Sequence, residues 1–405
     1  MEGKPDVSGA KGAGAGQGIV VVLAGFLPIL AIVALAPAVP RMVEHFADYP
    51  AAQTLVPLAV TAPGLMIALF SPLMGWLTDR FGRRELLLWA TFIYGLVGVL
   101  PFFLESLVAV FASRLALGIC EAAILTVTNT LIGDYFAPDK RRTWLMIQAA
   151  AGPFFGVTVL TLSGYLASTS WQTPFLIYGC ALPIFAAMWF TIFEPDLANS
   201  DEEIDAAGQF PWNHVLLAGG VTLVSASLYY VYIVQIGLAF AGIGVNDPGK
   251  VGMLVGVANL GVFIGGIVFK PLSSRLGSAT QIAVFLLLLG LGMIGIGTAD
   301  SASAMTIFAC IQQLGAGILI PSLVLWAMNG LPPQHRGRGM GVWSACFFLG
   351  QFASPLFVTL ARTITPDIGG AFLVLGIIAI IGALASAGLS RMAGRNAQSI
   401  QQREV

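Results

Sequence analysis

Charge is what this sequence has least of. Lys, Arg, Asp and Glu make up 10% of its 405 residues, while 57% are hydrophobic. A soluble domain carries about 25% charged residues, and a soluble chain of this length could not cover its surface with so few. The formal net charge of −1 comes with no basic patch, so no nucleic-acid partner is expected. Cysteine is sparse as well: Cys120, Cys180, Cys310 and Cys346 all lie inside apolar runs. With no CxxC or Cys/His spacing, they make neither a disulfide framework nor a metal site and read as small packing residues. His45, His214 and His335 each fall near the end of an apolar run and read as interfacial residues. A Walker-type phosphate loop, an HExxH and a nucleophile with its base are all absent. The chain is therefore expected to be no enzyme, to hold no cofactor or metal and to use no ATP.

What the sequence does have is apolar length. Runs occur at 19–40, 52–78, 86–104, 107–133, 143–167, 172–193, 213–241, 250–270, 279–298, 302–330, 339–363 and 368–390. A helix needs about 20 residues to cross a bilayer. The runs are continuous rather than alternating, which excludes barrel strands. The expected fold class is an all-α polytopic membrane protein with twelve transmembrane helices. Residues 1–18, rich in Gly, Ala and Lys, read as a disordered tail, and the run that follows is too long for a signal-peptide core. The longest internal break, EPDLANSDEEIDAAGQFPWNH at 194–214, holds six acids and no Lys or Arg. The expected organisation is a tail at 1–18, a six-helix bundle at 19–193, a linker at 194–212, a second bundle at 213–390 and a tail at 391–405.

Twelve spans put both termini on one side. Fifteen Lys and Arg fall on that side, three (Arg41, Lys250 and Arg362) fall on the other, and Arg114 lies within a span. Positive residues stay in the cytoplasm, so both termini are predicted to be cytoplasmic, in a cell inner or plasma membrane. A shift of 195 residues aligns the terminus-side loops: Arg80 with Arg275, Gly82 with Gly277, Pro138 with Pro333 and Arg141 with Arg336. Two duplicated six-helix halves predict a transporter that rocks about a site near the bilayer midplane.

The first copy of the repeated loop is GWLTDRFGRR, residues 75–84. Gly75, Asp79, Arg80, Gly82, Arg83 and Arg84 resemble the loop 2–3 signature of the major facilitator superfamily, and the resemblance covers the whole chain. Arg114-x-x-x-Gly118 is similar to the superfamily's helix 4 motif. Gly152-Pro153-x-x-Gly156 is similar to part of its antiporter motif, with Val157 in place of the second closing glycine. The resemblance implies two pseudo-symmetric bundles with helices 3, 6, 9 and 12 outside. It also implies a latch on the cytoplasmic side. Asp79 would face the start of helix 11 near Gly339 and Met340, Arg83 would pair with Asp134, and Gly75 and Gly82 would allow close backbone approach. The competing reading is that these arginines only set the topology.

Arg114 and Glu121 are the two charges well inside the spans. An ionisable group at that depth costs several kcal/mol unless it faces a cavity or a partner. Seven residues apart, they share one helix face at a separation of about 10 Å, with Gly118 between them leaving room for a ligand or water. Burial penalises the charged carboxyl and the arginine favours it, so Glu121 is predicted to carry a proton, and Arg114 to sense it or hold an anion. The competing reading is a buried polar pair that fixes helix packing.

The remaining intramembrane amides fall on spans 4, 5, 7, 8, 10 and 11, while spans 3, 6 and 12 are clean and span 9 has only Gln281. Cavity-lining helices carry the polar groups. The predicted cavity is formed by Tyr229, Tyr232, Gln235, Asn259, Gln312 and Gln351, with Trp326 and Phe154 as apolar wall. For each of these, ordinary helix packing is the competing reading. The expected function is proton-coupled transport of small, lipophilic or amphipathic organic molecules, by export in antiport. The alternative is uptake of an organic anion by proton symport, supported by Arg114 beside Glu121. The expected partners are a small-molecule substrate, protons and the lipid bilayer, with the chain acting as a monomer.

Overall fold

The computed structural model describes residues 13–195, 210–332 and 335–401, apart from the side chains of Asp79, Pro138 and 389–401. No strand occurs among the described residues. Twelve helices are long and apolar enough to cross a membrane. They are α1 (Ala15–His45), α2 (Ala52–Thr78), α3 (Arg83–Phe103), α4 (Leu107–Tyr135), α5 (Asp139–Ala167) and α6 (Thr173–Thr191), then α7 (Trp212–Gly242), α8 (Pro248–Arg275), α9 (Ser278–Thr298), α10 (Ala302–Asn329), α11 (Arg336–Ala361) and α12 (Ile368–Gly388). These follow the twelve apolar runs to within a few residues at most ends.

Helix extends into both stretches expected to be tails. Helix begins at Ala15, inside the stretch read as a tail. Gln17 holds it there: its Oε1 accepts from Gly14 N–H at 2.9 Å, and its Nε2 donates to Thr191 O at 3.1 Å. At the other end the backbone stays helical from Ile368 to Gln401, because Ala, Arg, Gln and Met are strong helix formers. Residues 1–12, and 196–209 of the acidic stretch read as a linker, lie outside the described residues.

Each set of six helices has its own apolar cluster. One is built mainly from residues between Val20 and Ile192, the other mainly from residues between Ala218 and Ala383. Within the first half α3 packs on α4 and α6, and within the second α9 packs on α10 and α12. The halves meet through α2 on α11, α5 on α8, and the end of α1 on α7 and α8.

The first span is not one straight helix. It runs as Ala15–Gly25, Leu27–Val33, a 3₁₀ turn at Ala36–Ala38 and Val39–His45. The breaks free carbonyls that lipid cannot satisfy. Leu35 N–H bonds Ile32 O rather than Ala31 O, and Ala31 O accepts from Arg114 Nη2 at 2.5 Å and Tyr178 Oη at 2.7 Å. Ala34 O accepts from the Ser163 hydroxyl. Side chains from α4, α5 and α6 thus complete the backbone of α1.

The duplicated loops occupy equivalent places. Arg80 and Arg275 stand in the last helical turn before the loop, and Gly82 and Gly277 form the N-caps of α3 and α9. Gly82 alone of this pair has a positive φ, +88°.

Candidate functional site

Arg114 and Glu121 project from α4 into the first half, each about 1% exposed. Gly118, one turn from each, has no free space beside it. A Cβ there would stand 2.6 Å from the Pro63 backbone and 2.8 Å from Met66 Cβ. The room that the sequence suggested for a ligand at Gly118 is filled by α2. The Arg114 guanidinium lies 5.1 Å from the centre of the Tyr178 ring and gives one nitrogen to Ala31 O, while its Nε and Nη1 are buried without a hydrogen-bond partner. Glu121 Oε1 is also buried and unpartnered. Ion pairs within 4 Å among the described residues are Arg83–Asp134 and Arg84–Glu85, so Arg114 and Glu121 make no direct pair.

Around these charges stand tyrosines. Tyr94 and Tyr178 interact electrostatically with both, and their hydroxyls donate to Leu27 O and Ala31 O at 2.7 Å. Tyr230, on α7 of the other half, also interacts electrostatically with Glu121. Tyr230 itself packs against the apolar clusters of both halves.

The polar set predicted for the second half is not gathered in one place. Gln235 is 2% exposed with Oε1 unpartnered and lines a pocket at the end opposite the termini. Tyr232 is buried in the second half's own core with its hydroxyl unpartnered, and Tyr229 tilts against Tyr230 with ring centres 4.8 Å apart. Each three-residue step falls about 60° short of a full turn, so the set drifts round the helix and Tyr229 and Gln235 end about 120° apart. Asn259 joins three helices: its Nδ2 donates to Pro153 O on α5 at 3.2 Å, and its Oδ1 accepts from Gln313 Nε2 on α10 at 3.1 Å. Gln312 packs against Gly292 of α9, inside the second half, with both amide atoms unpartnered. Gln351 lies against Gly64 of α2, across the halves. Phe154 is half exposed and tilts on Phe263 of α8 with ring centres 5.3 Å apart. Trp326 packs edge-on to His214, whose ring bonds Ala327 O.

The halves are shut at the end away from the termini. There Thr54 and Thr359 hydroxyls are 2.8 Å apart, the Arg362 guanidinium donates to Gln53 Oε1, and Thr61 Oγ1 donates to Phe352 O at 3.3 Å. Gly164 and Gly252 bring the α5 and α8 backbones together. A Cβ at Gly164 would be 2.4 Å from Pro248 O, and one at Gly252 2.6 Å from Leu160 O. Towards the termini the helices part: a Cβ at Gly75 of α2 or Gly341 of α11 would meet no heavy atom within 4 Å.

Arg83 does pair with Asp134, Nε to Oδ2 at 2.6 Å, but both belong to the first half. Arg80 is exposed and lies over Trp76 at 5.3 Å. The Asp79 side chain, on which the contact to α11 depends, lies outside the described residues.

The family model described as Major Facilitator Superfamily matches residues 21–355 and again 215–402. This chain belongs to that superfamily. It is a transporter and not an enzyme, built on the twelve-helix fold. Among superfamily relatives, the probable galactarate/D-glucarate transporter of Escherichia coli is 22% identical over 364 residues, covering 76% of this chain and 79% of the relative. The putative tartrate transporter of Agrobacterium vitis is 23% identical over 351 residues, covering 78% and 80%. Of solved superfamily structures, a bacterial homologue of the human lysosomal transporter spinster, inward-facing and occupied, is 15% identical and covers 94% of this chain and 96% of its own, with a TM-score of 0.73.

The superfamily signature left one partner of the loop unread. Glu194, just after α6, accepts from the Arg83 and Arg84 backbone N–H groups at 2.8 Å each, capping α3. Arg84 in turn donates to Ile192 O at 2.9 Å. Tyr178 was equally unremarked, although it shares Ala31 O with Arg114. The one sign of Glu194 was its place at the head of an acidic stretch, which reads as solvent-exposed until the fold brings it beside α3.

Proposed function

We propose that this superfamily member takes up a small organic anion together with a proton. The observation that carries the reading is Arg114, a fully buried cation with two nitrogens unpartnered and, among the described residues, no carboxylate within 4 Å. A buried unpaired charge is costly and calls for a counter-charge. A substrate carboxylate would supply it, and bidentate donation from a guanidinium suits a carboxylate. Glu121, two helical turns away and unpartnered at Oε1, is the proton carrier. Its approach to Tyr230 couples its charge to the movement of the second half. The organic-acid names of the two relatives support this class of substrate.

Access alternates between the sides. The far end is shut, and the terminus end, taken as cytoplasmic from the arginine distribution, is open. Asp79 and Arg80 hold that end when it closes, and the Arg83–Asp134 pair keeps the shape of their loop. The home is a cell inner or plasma membrane, with both termini cytoplasmic and the monomer as the working unit. The test is uptake of labelled tartrate or glucarate into proteoliposomes. An inward proton gradient should drive accumulation, and Arg114→Gln should abolish it while the protein still inserts. Full uptake by Arg114→Gln would reject the reading.

Export of a lipophilic compound by antiport is the second reading. The half-exposed Phe154 on Phe263, at the meeting of α5 and α8, favours it as an aromatic wall. It predicts proton release when a lipophilic cation is added to weakly buffered protein, lost in Glu121→Gln. The symport reading predicts none.

A further inference from the structure

A pocket of about 510 Å³ opens at the shut end, away from the buried charges of α4. That is within the range of small-molecule sites, about 300–1,000 Å³. Its walls come from both halves: Val43 to Thr54 from the first, Gln235 and Val358 to Ile368 from the second. Arg362 is the one charged residue among those lining it, and none of them is acidic. The arginine is half-buried, donates to Gln53 and, among the described residues, has no carboxylate within 4 Å.

Two further features point to a ligand. Gln235 lines the same pocket, is 2% exposed, and keeps Oε1 without a partner. A buried amide left unsatisfied is uncommon and costs stability, so a donor group entering the pocket would have an acceptor waiting. Thr54, Thr359 and Thr363 add hydroxyls to the lining. One cation, one unsatisfied acceptor buried in the wall and several hydroxyls suit a short carboxylate that itself carries hydroxyl groups. Of the three cations on this side, Arg41 is engaged by a carbonyl, Ser168 O at 2.8 Å. Arg362 lines the pocket itself.

We infer that this pocket is a second binding site for a small hydroxy-carboxylate, distinct from the site at Arg114 and formed only while the far end is shut. Its carboxylate pairs with Arg362, and one hydroxyl donates to Gln235. A ligand held between two halves stabilises the arrangement in which its pocket exists, so occupancy favours the shut far end. The choice of probe rests on the reading of this chain as an organic-anion carrier.

The test is equilibrium dialysis of labelled tartrate against the full-length protein in detergent, beside Arg362→Gln, Arg114→Gln and Gln235→Ala. Two tartrates per chain are expected in the wild type, and one in each arginine variant. A single wild-type site lost in Arg362→Gln and kept in Arg114→Gln would support the pocket and reject the carrier reading at Arg114. A single site lost in Arg114→Gln alone would overturn the pocket, and so would no binding at millimolar tartrate. If Arg362→Gln loses both sites through misfolding, Gln235→Ala decides. A several-fold weakening of one site supports the pocket, and two unweakened sites overturn it.

Discussion

Arg83 Nε stands 2.6 Å from Asp134 Oδ2, and the two residues tie α3 to α4 within one half rather than joining the halves. The pair therefore holds the shape of the loop whichever side is open. With side chains 11% and 21% exposed, it lies between a surface ion pair and a buried one. A double-mutant cycle of Arg83→Gln and Asp134→Asn should give a coupling of about 1–2 kcal/mol in micelle unfolding. A coupling near zero would mean that the arginine serves topology alone.

The cap on α3 gives a separate expectation. Glu194→Ala removes both acceptors from the Arg83 and Arg84 N–H groups. The loss should cost about 1–2 kcal/mol and speed hydrogen exchange in the first turn of α3. Gly82→Ala should cost a similar amount, because its φ of +88° strains a side chain and its Cβ would stand 3.0 Å from the Glu194 carboxyl. Unchanged exchange in Glu194→Ala would refute the cap.

Bulk at the α5–α8 seal should act on conformation before it acts on chemistry. Gly164→Val or Gly252→Val would drive a side chain into Pro248 O or Leu160 O. The far end should then stay open. A cysteine placed at Thr359 should label faster with a membrane-impermeant thiol reagent added from the far side. Equal labelling in variant and wild type would show that the seal tolerates the bulk.

Glu121→Gln keeps the shape of the buried side chain and removes its proton chemistry. Under the proposed function, an inward proton gradient accelerates uptake by the wild type and leaves the variant unaffected. Exchange of substrate for substrate across the membrane, which needs no net proton movement, should persist in the variant. Gradient-driven accumulation by Glu121→Gln would remove Glu121 from the coupling.

The twelve spans were legible because lipid forces a continuous apolar helix, and such runs stand out against any loop. The Arg83–Asp134 pair was legible through the family resemblance, since charges at two helix ends on one side have few other partners. The cavity set was harder. Tyr229, Tyr232 and Gln235 share a sequence spacing, yet only the crossing of α7 with its neighbours decides that Tyr232 enters the core and Gln235 enters the far pocket. Asn259 reads the same as a ligand contact or as glue, and its bonds to α5 and α10 follow from helix packing that the spacing does not reveal. The breaks in α1 left no mark beyond Pro28, Pro37 and Pro40, and so the work of Arg114 and Tyr178 on Ala31 O stayed hidden.

The α5–α8 contact bears on leakage. Backbone meets backbone at Gly164 and Gly252 with no space for a side chain, and hence none for a file of water. Protons hop along water files, so under the proposed function a proton carried by Glu121 would have no wet route through that contact while the far end is shut. A seal of this kind insulates through its dryness and needs no charged plug, and in a proton-driven carrier it would keep the gradient from draining between turnovers.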